Sequence, residues 1–244
     1  MTRSLLAVGA NLGDRAATLR KTLELIAALP GTQLLARSTW HETVPVGGPE
    51  GQASFLNGAV LVETLLAPGE LAAALQDIER QLGREQVVRW DARTIDIDLM
   101  LWGDQKIDTA DLQIPHPRMS FRQFMLAPAA EIAGEMIHPT SGWTIAALLH
   151  QLRSTPRTVA VIADDTNIGK WLESELNREF STDPNLSTTV KLIVDDVDCG
   201  DQAALKIIVG GVECPAGPAL RIMATDRTLI RQETIAAVRA AWPD

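Results

Sequence analysis

Asp96 and Asp98 stand two residues apart in the run Thr94-Ile95-Asp96-Ile97-Asp98-Leu99, with Arg89 and Arg93 just upstream. On a strand successive side chains alternate faces, so the two carboxylates share one face while Ile95, Ile97 and Leu99 share the other. Carboxylates held side by side repel each other, and two arrangements relieve the repulsion. One is the solvated face of an ordinary half-exposed strand. The other is a hard divalent cation such as magnesium, which takes oxygen ligands, held against a polyphosphate that the arginines also grip. The spacing by itself leaves both open.

The surrounding charge favours an anionic ligand. The chain carries 31 Asp and Glu against 22 Lys and Arg, a net charge of -9, which argues against general nucleic-acid binding. Yet seven of the 13 Lys and Arg before Pro156 (Arg80, Arg84, Arg89, Arg93, Lys106, Arg118 and Arg122) fall between Arg80 and Arg122, flanking the aspartate pair. Cys199 and Cys214 are too few for a disulfide framework and lie far from any His-rich cluster, so both are read as reduced thiols. No segment approaches the roughly 18 apolar residues that cross a bilayer, and Met1 to Gly9 reaches Asn11 and Asp14 too soon for a signal peptide. A cytoplasmic protein with no membrane partner is expected.

Periodicity gives the elements that must position these residues. Ser4 to Gly9 reads as a strand, and Arg15 to Leu29 as a helix whose Leu19, Leu23, Ile26 and Leu29 lie near helical spacing, ended by Pro30-Gly31. Thr32 to Thr43 and Phe55 to Thr64 have strand character. Between them Pro45, Gly47, Gly48, Pro49 and Gly51 make a loop of the kind that binds ligands. Pro68 suits the first position of a helix over Gly69 to Leu82, striped by Leu71, Leu75, Ile78 and Leu82. The aspartate strand runs from Thr94 to Trp102, an irregular segment ends at Pro115-His116-Pro117, and helices follow over Phe124 to Ile132 and Thr144 to Leu152. Arg153-Ser154-Thr155-Pro156-Arg157 interrupts the pattern and predicts two domains, residues 1–154 and 155–244. The second reads strand, helix, strand, strand, strand, helix, a small α/β domain with a mostly parallel sheet.

Motifs in the first domain come in a recognisable order: Gly9-Ala10-Asn11-Leu12-Gly13-Asp14, Phe55-Leu56-Asn57-Gly58-Ala59, Ile78-Glu79 with Gly83-Arg84, and Arg89-Trp90 through Asp98. Ile114-Pro115-His116-Pro117-Arg118-Met119 and Phe124-Met125-Leu126 complete the series. Over about Leu5 to Leu152 the chain thereby resembles the 6-hydroxymethyl-7,8-dihydropterin pyrophosphokinases of folate synthesis. The resemblance implies a ferredoxin-like α+β domain that moves pyrophosphate from ATP to the pterin hydroxymethyl oxygen, releasing AMP with the help of two magnesium ions. It implies that Asp96 and Asp98 hold both ions, that Arg84 and Arg93 act beside them in catalysis, and that Glu79, Arg89, Trp90, Arg93, His116 and Arg122 surround ATP. Arg89 and Trp90 match a loop that closes over the substrates. Thr43, Val44, Val46, Phe55, Asn57 and Phe124 match the pterin pocket, with the two phenylalanines sandwiching the heterocycle and Asn57 reading its edge. The chain has four Phe and no Tyr, which makes two at matched positions informative. ATP and the pterin are the implied partners of a monomer.

Four departures from the family pattern stand out. Ala10 replaces a serine, Val44 the first of a Pro-Pro pair, and Asp91-Ala92 a Gly-Pro pair, while the loop over Glu85 to Val88 is one residue short and lacks a second arginine. The missing cation motivates an alternative in which the chain is a catalytically weak binding or scaffold protein. The second domain carries no assigned function, and a bifunctional enzyme is a further alternative. Asp164 to Trp171 lies where a strand meets a helix, as a phosphate-binding loop would, but Asp164 and Trp171 occupy positions that such a loop gives to Gly and to Ser or Thr. The clustered Asp164, Asp165, Asp195, Asp196 and Asp198 fit solvated strand ends better than a cation site.

Overall fold

Strand β1 (Thr2–Ala10) is the axis of the cleft-bearing unit, because it pairs antiparallel with both β4 (Phe55–Thr64) and β5 (Asp96–Trp102). The computed structural model describes residues 1–46, 51–84, 93–154, 157–180, 189–193, 203–210, 217–224 and 226–242. Arg89, Trp90, Asp91, Ala92 and the loop over 85–88 lie outside the described residues, as do both cysteines, Asp195, Asp196 and Asp198. The sheet runs β2 (Thr32–Arg37), β4, β1, β5, and the short β3 (His41–Thr43) also pairs with β4. Helix α1 (Arg15–Ala27) follows β1, and α2 (Pro68–Gln81) joins β4 to β5. The Asp14 carboxylate caps α1 by accepting from the Ala17 amide at 3.0 Å, and Pro68 opens α2 as its ring geometry favours.

The strands alternate as a sheet covered on both faces must. Leu6, Val8 and Ala10 of β1 join Val60, Val62, Ile97 and Leu99 in a core that includes Leu19 and Ile26 of α1 and Leu71, Leu75 and Ile78 of α2. The opposite face presents Leu5, Ala59 and Met100 to α3 (Gln123–Ala133) and α4 (Ile145–Ser154). At one end of that second face the cover stops, and Gly9, Asn57, Asp96 and Asp98 line an open cleft. β6 (Ile107–Asp108) and β7 (Gln113–Ile114) form a small antiparallel hairpin within the segment expected to be irregular.

Beyond α4 the architecture changes. β8 (Thr158–Ala163), β9 (Thr189–Ile193), β10 (Leu205–Val209) and β11 (Ala219–Ile222) form a parallel sheet in the order β11, β10, β8, β9, with α5 (Thr166–Phe180) between β8 and β9 and α6 (Arg227–Ala241) after β11. Val159 to Ala163 are all buried, the continuous apolar run of a parallel strand covered on both faces. Where a phosphate would approach the start of α5, the Asp165 carboxylate already accepts from the Asn167 amide at 2.8 Å. One cluster of buried side chains runs from Leu5 and Met100 through Leu148 and Leu152 to Val161, Ile207 and Trp242. The Trp242 indole N–H donates to the Leu152 carbonyl at 2.9 Å, fixing the end of α6 to the end of α4.

Candidate active site

Pairing register places the chemistry of three strands in two rows. Gly9 of β1 lies opposite Asn57 on one side and Asp96 on the other, and Ala7 lies opposite Ala59 and Asp98. Small residues on the middle strand thus leave the floor between the asparagine and the aspartates open. At Gly9 the requirement is steric: a Cβ there would fall 2.4 Å from Asn57 Oδ1. Asn57 donates through Nδ2 to Thr43 Oγ1 at 2.7 Å, which leaves its Oδ1 lying against the Gly9 backbone. The cleft above holds about 250 Å³, and Thr43, Val44, Val46, Phe55, Asn57 and Phe124 line it together with Arg93, Asp96, Asp98, His116 and Arg122.

The anionic end is held by opposing charges. Arg84 Nη1 lies 2.8 Å from Asp96 Oδ1, and Arg93 Nη1 donates to Asp96 Oδ2 at 2.9 Å. Burial, and then the charge of Asp98, raise the Asp96 carboxyl above the ordinary range against the pull of both arginines. Burial raises Asp98 as well, opposed by Arg122, Arg84 and Arg93. Two carboxyls that resist ionising side by side would gain from a cation on their open face. Glu79 lies beneath β5, 6% exposed, where it accepts from the Ile97 amide at 2.7 Å and from Arg84. Burial pushes its carboxyl up to about 7 despite the Arg84 charge. It ties α2 to the aspartate strand and does not line the cleft.

His116 and Arg122 form the other wall. The Arg118 amide donates to His116 Nδ1 at 3.2 Å, so Nε2 carries the proton of the neutral ring and lies 3.9 Å from Asp98 Oδ2. Burial and the adjacent Arg122 and Arg118 charges lower the imidazole to about 3, well below neutrality. Burial and Arg118 bring Arg122 down to about 10, which still leaves it cationic at pH 7. Its guanidinium carbon lies 5.4 Å from the Phe124 ring centroid, a cation–π distance. A second, larger hollow of about 510 Å³ shares Asp98 and His116 with the cleft and is otherwise walled by groups including Leu75, Gln76, Leu99 and Leu112.

Comparison with known proteins decides the family. The 7,8-dihydro-6-hydroxymethylpterin-pyrophosphokinase (HPPK) family matches residues 5–134. The 2-amino-4-hydroxy-6-hydroxymethyldihydropteridine pyrophosphokinase of Bacillus subtilis is 44% identical over 131 residues, covering 54% of this chain and 78% of that enzyme. The enzyme of the same name from Synechocystis is 35% identical over 172 residues, covering 70% of this chain and 86% of that one. One from Methylorubrum extorquens is 40% identical over 137 residues, with coverages of 56% and 86%. This chain belongs to the HPPK family.

Among the site residues expected from sequence, the HPPK fold gathers all six pterin-pocket candidates and Arg93, Asp96, Asp98, His116 and Arg122 around one cleft. Arg84 and Glu79 stand behind Asp96 as its support, and Arg89 and Trp90 lie outside the described residues. Two further participants are not evident from the sequence. Arg118 lines the cleft beside His116, and its place in the Pro-His-Pro-Arg motif was the available signal. Asn11, only 2% exposed, accepts from the Arg93 amide at 2.6 Å, donates its own amide to the Arg93 carbonyl at 3.1 Å, and reaches the Ala53 carbonyl at 3.4 Å. It couples the segment before β4 to the one before β5, so one buried side chain joins the stretches that lead into Asn57 and into the aspartates. Asparagine's pairing of one acceptor with an N–H₂ donor suits that double task.

Proposed function

We propose that the chain transfers pyrophosphate from ATP to the hydroxymethyl oxygen of 6-hydroxymethyl-7,8-dihydropterin, giving AMP and the pterin diphosphate. The observation that carries this reading is the pair of strand rows that set Asn57 and the two aspartates 96 and 98 across a floor of Gly9 and Ala7. Family membership supplies the reaction that such a cleft would serve. We assign residues 1–154 and 155–244 as separate domains. A ferredoxin-like arrangement of the first is supported by the antiparallel order β2, β4, β1, β5 and by the helices that follow β1 and β4.

The pterin lies between Phe55 and Phe124, with its amide-like edge on Asn57 and its hydroxymethyl group directed toward Asp96 and Asp98. Adenosine takes the adjoining hollow, so that the polyphosphate passes Asp98 and His116 to reach the pterin. The hydroxymethyl oxygen attacks the β-phosphorus while the bond from that phosphorus to the oxygen bridging it to the α-phosphorus breaks. AMP leaves with the bridging oxygen, and the hydroxyl proton passes to solvent. Such a transfer asks for alignment and charge stabilisation more than for covalent chemistry. The neutral His116 Nε2–H donates to a phosphate oxygen, and Arg122 offers a planar pair of donors. Arg84 and Arg93 keep Asp96 in place and turn toward the phosphates as these arrive.

The aspartate pair fits two magnesium ions: it offers oxygen donors, both carboxyls are raised by burial, and Asp96 is raised further by the charge of Asp98, which a cation would relieve. Magnesium bound there would neutralise charge on the transferring phosphates, with water and phosphate oxygens completing its coordination. The test is AMP release by the whole chain, with ATP, magnesium and the hydroxymethyl pterin each omitted in turn. AMP formation that needs all three supports the reading. Folded protein that releases none overturns it in favour of a binding or scaffold role.

A further inference from the structure

The second unit grips the short segment that carries Arg118 and Arg122, two of the arginines that line the cleft. Between His116 and α3 the chain runs through Arg118, a 3₁₀ turn over Met119–Phe121, and Arg122. Hydrogen bonds fasten this stretch and the first residue of α3 to the second unit. Arg118 Nη2 donates to Glu233 Oε2 of α6 at 2.7 Å. Ser120 Oγ donates to the Ala219 carbonyl at the start of β11 at 3.1 Å. Gln123 Nε2 donates to the Ala241 carbonyl at the end of α6 at 2.6 Å. Arg122 lies between the second and third of these fastenings.

The contact continues into the pterin side of the cleft. A narrow crevice between the units is lined by Val46, Arg118 and Arg122 on one side and by Leu220, Glu233 and Ala237 on the other. Arg118 and Arg122 both face the main cleft, so two guanidinium groups are crowded where their charges oppose each other. The Glu233 carboxylate, 13% exposed, supplies a negative charge behind them. It holds Arg118 by its outer nitrogen while the backbone amide of the same residue orients His116. Pulling Arg118 away would therefore disturb three groups on the phosphate wall together.

We infer that the second unit is a positioning element of the active site: Glu233 of α6 holds Arg118 as an additional phosphate-binding residue, and β11 and α6 keep the Arg118–Gln123 segment in register with the aspartate pair. The inference rests on the proposed reaction for its meaning, but its geometry can be tested by ATP binding alone. Glu233 is a positioning residue, since it reaches the ligand only through Arg118.

The decisive experiment is a double-variant cycle in the whole chain, using Glu233→Gln, Arg118→Ala and the two together. Binding of magnesium with a non-hydrolysable ATP analogue and steady-state AMP release are both measured, with Glu233→Asp as the conservative variant. Loss of one charge-assisted contact predicts that Glu233→Gln weakens analogue binding and raises the KM for ATP by roughly tenfold, with the KM for the pterin unchanged. Glu233→Asp should recover part of the loss, and Glu233→Gln should change affinity by less than about twofold once Arg118 is alanine. Arg239→Gln, which breaks a different ion pair of α6 with Glu179 at 3.1 Å, is the control expected to leave all values unchanged. Unchanged affinity in Glu233→Gln, or additive losses in the double variant, overturns the inference. Absence of AMP from the unsubstituted chain removes the proposed reaction while the binding arm still decides the role of Glu233, and absence of analogue binding as well overturns both.

Discussion

β5 closes one edge of the antiparallel sheet and β10 lies inside the parallel one, and they treat side chains in opposite ways. β5 is Asp-Ile-Asp-Leu-Met-Leu-Trp, with its aspartates half-buried at the open end and every later residue buried. β10 is Leu-Lys-Ile-Ile-Val, buried throughout within a parallel sheet. An antiparallel sheet with one face left partly uncovered can present chemistry directly from its strands, whereas a parallel sheet clad on both faces has no strand position left for a ligand. Such a unit acts through its edges and connections, and here it acts through a helix that touches its neighbour. The difference explains why one half of the chain has a readable motif and the other does not.

The contrast breaks most visibly with one substitution in each sheet. Asp98→Asn removes a carboxylate from a pair already strained by repulsion, so kcat should fall by roughly a thousandfold or more while thermal stability holds or rises. Ile207→Ala in β10, at a fully buried position, should instead cost about 2–5 kcal/mol in chemical denaturation, with kcat per folded molecule little changed. An Asp98→Asn protein that unfolds would make the pair structural and erase the distinction. Next in size is Gly9→Ala. Its new methyl must displace the Asn57 side chain from the position it shares with Thr43, so the KM for the pterin should rise roughly a hundredfold. Binding of the ATP analogue, titrated calorimetrically, should stay the same; a parallel loss of nucleotide affinity would mean that the two ends of the cleft are not separable.

Much of this was legible in the chain before folding, and the reasons for the rest are local. Phe55–Thr64 has the bounds its apolar pattern predicts, because strand propensity and burial agree there. The expected strand over Thr32 to Thr43 is split, since the regular strand ladder is interrupted over residues 38–40. Trp40 lies across Gly58, where a Cβ would come within 2.4 Å of its ring, and Ser38 Oγ accepts from the Ala59 amide at 2.9 Å. That tryptophan–glycine fit joins segments 18 residues apart, and no periodicity carries it. Asp96 and Asp98 were legible because both their identity and their shared strand face are written locally. Asn11 shows in the sequence only as part of a motif, because its value lies in joining Ala53 and Arg93, residues distant in sequence. The role of Arg118 is hidden for a similar reason: its partner, Glu233, lies 115 residues away.

Glu79 gives a small expected effect on turnover and the finest comparison between strand-borne and supporting groups. Its carboxyl titrates near 7 in the folded chain against an ordinary value of 4.5, so over that interval the folded state holds a proton that the unfolded state has lost. Stability from this group is therefore greatest below about pH 4.5, declines as pH rises through 7, and is level above. One proton sets the limit of the slope at about 1.4 kcal/mol per pH unit. Glu79→Gln keeps the shape and abolishes the titration, so denaturation midpoints of the variant should lose this decline between pH 5 and 8, with turnover changed by less than about tenfold. If the slope persists, another buried group is its source. If turnover instead collapses as far as in Asp98→Asn, Glu79 works at the ligand itself, and the division between residues that line the cleft and residues that hold β5 beneath it fails.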